Sequence, residues 1–65
     1  MSQVSENAQP VRFHVQVGLA ECLVRSRDEV GAVEAARNHF VERMPELSEI
    51  IRGIADKEFR VDRLG

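Results

Sequence analysis

From Val11 the chain alternates with period two. Val11, Phe13, Val15 and Val17 are apolar, and Arg12, His14, Gln16 and Gly18 stand between them. This is the pattern of a strand with one face on a core and the other in water. Gly18 interrupts it, and Cys22 to Arg25 is strand-like again. Two readings compete here: a hairpin turning over Gly18 to Glu21, or one long strand bent at Gly18. The hairpin is favoured, because a single strand from Val11 to Arg25 would be unusually long.

The period then changes to that of a helix. Ser26-Arg27-Asp28-Glu29 fits a capping box, with the Ser26 hydroxyl accepting from the Glu29 backbone and the Glu29 carboxylate reaching back. A helix is therefore expected from near Arg27. Val30, Val33, Ala36, Phe40, Val41 and Met44 recur at three- and four-residue steps and form its core-facing stripe. Gly31 falls in the first turn, where its conformational penalty is smaller than at mid-helix. Pro45 ends this helix and suits the start of another. Leu47, Ile50, Ile51 and Ile54 give the second helix its stripe, and Gly53 or Ala55 ends it. Glu58 to Leu64 alternates again, with Phe59 and Val61 inward and Glu58, Arg60 and Asp62 outward.

The order is strand, strand, helix, helix, strand. An α+β fold follows: a small two- or three-stranded sheet, its most apolar first strand central, with both helices on one face. Residues 1–10 are mostly polar, contain one isolated valine and end in proline, so they are expected to form a disordered tail. Residues 11–65 remain as one small domain.

A chain of 65 residues buries only roughly 60% of its unfolded surface. Such cores are marginal and need a disulfide, a metal or a partner. One cysteine excludes an internal disulfide, and Cys22, His14 and His39 lack the short paired spacings of a zinc site. Docking remains, as a homodimer or on another protein. No apolar run reaches the length of a membrane span, and the N-terminus lacks the basic and apolar regions of a secretion signal. A soluble, cytoplasmic protein with no membrane contact is expected.

Net charge is −2, but it is unevenly placed. Residues 28–56 hold seven carboxylates against three arginines, whereas residues 11–27 hold three arginines against Glu21. The helical layer should be acidic and the sheet mildly basic. Arg12, His14, Gln16, Arg25 and Arg60 are then candidates for a binding surface on the uncovered sheet face. Eight of the nine basic residues are arginine, and guanidinium groups hold phosphates or stack on bases. Nucleic-acid binding is the alternative function on that ground. Against it stand the lack of an outward aromatic platform, the carboxylates on the same face and the acidic whole. No glycine-rich phosphate loop, cofactor motif or catalytic constellation is present, so neither a cofactor nor an enzymatic activity is expected.

Phe13 to Leu64 resembles, in layout, the small bacterial DpnD/PcfM-like proteins. The resemblance rests on the alternating strand, the second strand, the acidic start at Ser26-Arg27-Asp28-Glu29, the alanine-rich helix and the closing Lys57-Glu58-Phe59-Arg60-Val61. It implies the fold and no site residue. The function expected is a small non-enzymatic interaction or regulatory module, a homodimer or an accessory subunit.

Overall fold

The computed structural model describes residues 10–65. The tail expected over 1–10 lies, except for Pro10, outside the described residues. The alternating segment forms strand β1 (Val11–Val17), and β2 (Ala20–Ser26) returns beside it. The loop between them is two residues long, with Val17 opposite Ala20. Gly18 has φ of 60° and Leu19 a negative φ, as a type II′ turn requires of its first and second central positions. The hairpin is therefore tighter than the expected Gly18–Glu21 turn, and Ala20 and Glu21 belong to β2. Strand β3 (Arg60–Arg63) pairs antiparallel with the other side of β1, giving the order β2-β1-β3. Backbone bonds from Leu64 to Arg12 (2.8 Å) and from Arg12 to Gly65 (3.4 Å) extend that ladder past the strand's end.

Helix α1 (Glu29–Arg43) begins later than the capping-box reading places it. Ser26 is still paired with Val11 as the last residue of β2, so it cannot cap a helix. Asp28 does so instead: its backbone is extended and its Oδ1 accepts the Gly31 N–H at 2.8 Å. The Ser26 hydroxyl accepts weakly from the Asp28 N–H, at 3.5 Å. Glycine at 31 has a steric reason, since a Cβ there would collide with the Ser26 hydroxyl.

Phe13, Val15, Ala32, Val33, Ala36, Phe40, Ile51 and Phe59 form the core. Ala32 and Ala36 have no exposed surface, which lets the α1 backbone sit close on the sheet. Val30, expected in the stripe, is 75% exposed, because it lies about 100° or more round the helix from the centre of that face. Val41 and Met44 are half-buried at the core's margin.

After α1, Pro45–Leu47 form a 3₁₀ turn and Ser48–Gly53 the six-residue helix α2. With less than two turns, α2 presents one side chain fully to the core, Ile51. Ile54 is half-buried, and Leu47 and Ile50, also expected to face inward, are exposed. A second 3₁₀ turn, Asp56–Glu58, replaces the expected start of the last strand. Glu58 thus precedes the strand instead of lying on its outer face, while Phe59 and Val61 point inward as expected.

One polar side chain ties these late elements to α1. Arg37 Nη1 donates to the carbonyls of Ile51 (2.7 Å), Ile54 (2.8 Å) and, more weakly, Arg52 (3.3 Å). Its Nη2 pairs with Asp56, and the guanidinium lies 4.8 Å from the centre of the Phe59 ring. Those carbonyls lie at the C-terminal end of α2, where a helix leaves acceptors short of partners, and that of Ile51 also accepts the Ile54 N–H at 3.2 Å. Replacement Arg37→Met should therefore cost about 2–3 kcal/mol in urea unfolding. Arg37→Lys should recover little of it, since an ammonium cannot spread over both carbonyls, carboxylate and ring.

Candidate functional site

The face of the sheet away from the helices carries every second residue of the three strands, and the registers place them in three rows. Arg25, Arg12 and Leu64 form the first, Leu23, His14 and Asp62 the second, and Glu21, Gln16 and Arg60 the third. The five residues proposed from sequence, Arg12, His14, Gln16, Arg25 and Arg60, therefore share one surface.

Their chemical states on it differ. His14 is at the centre, with Nε2 2.7 Å from Glu21 Oε1 and Nδ1 3.9 Å from Asp62 Oδ2. The shorter contact places the donated proton on Nε2. Arg60 Nε lies 3.8 Å from the same Asp62 oxygen. Gln16 turns back to the hairpin and donates to the Gly18 carbonyl at 3.4 Å. These exposed pairs are each worth about 0–1 kcal/mol, but together they neutralise the hairpin end of the face.

Arg12 and Arg25 are different. They are directly opposite each other across β1 and β2, with Cβ atoms roughly 5 Å apart as such pairs are. Among the described residues, neither has a carboxylate within ion-pair distance. Two like charges side by side repel, so this corner favours an anionic partner.

Nothing flat accompanies the arginines. All three phenylalanines are in the core and the chain has no tryptophan or tyrosine, which leaves no ring for a base to stack on apart from the His14 imidazole. The other residues considered for chemistry lie apart. His39 is on α1, its ring in a T-shaped contact with Phe40. Cys22 is on the inner side of β2, opposite Val15 and packed against the core. Among the described residues, no group of three or more histidine, cysteine or carboxylate side chains converges as a metal site would.

Reading from sequence misses one participant. Glu21 falls in the expected turn, and only the two-residue loop reveals that it lies on the strand, diagonal to His14. Leu23 is the middle of the outer β2 row by the same register. The chain matches no family model, no curated protein and no solved structure.

Burial pushes the Cys22 thiol up from its ordinary value. A raised value means less thiolate at a given pH, and the thiolate is the reactive form. Aromatic disulfide reagents at pH 8 should therefore label Cys22 more slowly in the native protein than in denaturant, with the native rate still climbing where the denatured rate has levelled.

Proposed function

We propose that this chain is a small non-enzymatic module for protein interaction or regulation, working as a homodimer or as an accessory subunit. The observation that supports this reading most is the apolar surface left over after folding. Leu19, Leu23, Val30, Leu47, Ile50 and Leu64 are all exposed, against a core that, among the described residues, has eight members of which two are alanine. Singly exposed apolar residues are ordinary, but contiguous ones mark contact surfaces. Here Leu47 and Ile50 border a groove at the hairpin end floored by Val17, Phe40, Met44 and Ile54.

The placement of titratable groups agrees with a non-catalytic role. Acid–base catalysis relies on a cleft that separates the affinities of two groups for protons. The His14 cluster stands instead on an open sheet face. A resemblance in layout to DpnD/PcfM-like proteins adds no activity to this reading.

Sedimentation over about a hundredfold range of concentration tests the self-association, which must appear as a mass rising towards that of a dimer. A constant monomer mass removes the homodimer and leaves only the accessory-subunit form.

The paired Arg12 and Arg25 favour a second reading, nucleic-acid binding on the outer face, which also carries His14 and Arg60. Phosphate contacts of this kind weaken steeply with salt. Short RNA and DNA titrated at low and moderate salt should give no saturable binding if the interaction reading holds. Saturable, salt-sensitive binding that Arg12→Ala weakens would establish the second reading in its place.

A further inference from the structure

We propose that β2 is the seam of the dimer, paired edge to edge and antiparallel with β2 of a second copy about a two-fold axis at Leu23. The inference rests on the self-association reading and specifies its surface. Its first support is the direction of the backbone groups. Arg12 exchanges backbone bonds with the β3 side, and alternate residues of a strand turn their polar groups to opposite sides. The odd-numbered residues of β1 therefore face β2 and engage its even-numbered partners. Glu21, Leu23 and Arg25 are left with N–H and C=O on an edge that, among the described residues, no other strand covers. Unpaired edges of this kind template further strand pairing.

The second support is the order of those three residues. Antiparallel pairing centred on Leu23 puts Leu23 opposite its own copy and Glu21 opposite Arg25 of the second copy, twice by symmetry. Moving the axis by one residue sets Leu23 opposite a charge. Moving it by two sets Glu21 or Arg25 opposite itself.

Both charged partners are available. Arg25 has no carboxylate within ion-pair distance among the described residues, and Glu21 uses Oε1 for His14 while Oε2 is free. On the helical side the same register brings Cys22 opposite Val24 of the second copy, and both are only half-buried in the single chain. A groove between Cys22 and Leu23 on the strand and His39 and Arg43 on α1 runs along this edge, so it is open to approach.

Charge exchange across the seam tests the register. Glu21→Arg and Arg25→Glu, made singly, each place like charges opposite one another twice and should raise the dimer dissociation constant about tenfold or more. The double variant restores opposite signs and should return dissociation to near the wild-type value. Leu23→Asp sets two carboxylates on the axis and should leave a folded monomer by far-ultraviolet circular dichroism, which separates loss of the seam from loss of the fold. A wild-type dimer indifferent to both single reversals, or a double variant no tighter than either, overturns this seam while self-association stands on another surface. A wild-type monomer at every concentration overturns both.

Discussion

A thin interior is the constraint from which the rest of this molecule follows. Among the described residues, eight side chains are buried, and of the four that α1 contributes, two, Ala32 and Ala36, carry only a methyl group each. Close approach is gained that way at the expense of buried area, since apolar stabilisation scales with the surface removed from water. The largest fully buried side chains are consequently Phe13 and Val15 on β1, and the elements at the periphery need other attachment.

Arg37 supplies it on one side. Its guanidinium collects the end of α2, the turn at Asp56 and the ring of Phe59, so directional bonds join the burial of Ile51 and Phe59 in ordering the chain between them. A helix held by its terminal carbonyls has no need to press a whole stripe on the core. That accounts for Leu47 and Ile50 remaining at the surface and for the groove they border. On the other side nothing comparable among the described residues covers β2, whose outer edge ends in polar backbone and in the Glu21, Leu23, Arg25 sequence. The same shortage of interior thus produces both an internal polar clamp and surfaces suited to contact.

The parts legible in the sequence are those where one periodicity acts alone. The alternation of Val11 to Val17 identifies a half-buried central strand without any tertiary information, and the spacing of Val33, Ala36 and Phe40 identifies the helix face that covers it. Where two local signals compete, the tertiary pairing decides. Ser26 satisfies the capping pattern, but its ladder pairing with Val11 retains it in the sheet and passes the cap to Asp28. Val30 has the right character and the wrong angle. The candidate face was readable as a list of outward residues, yet its chemistry depended on a register shift of two residues at the hairpin, which moved Glu21 beside His14. Arg37 carries no signal in the sequence at all, because its role consists of contacts with residues at least fourteen positions away.

If the single chain leaves its burial incomplete, association and folding must be coupled, since a ligand or partner that binds only the native state raises apparent stability with its concentration. The thermal unfolding midpoint measured across about three decades of protein concentration reads that coupling directly. The midpoint should rise steadily with concentration. A reversible midpoint that is high and the same at every concentration would contradict the account, since the interior of one chain would then suffice.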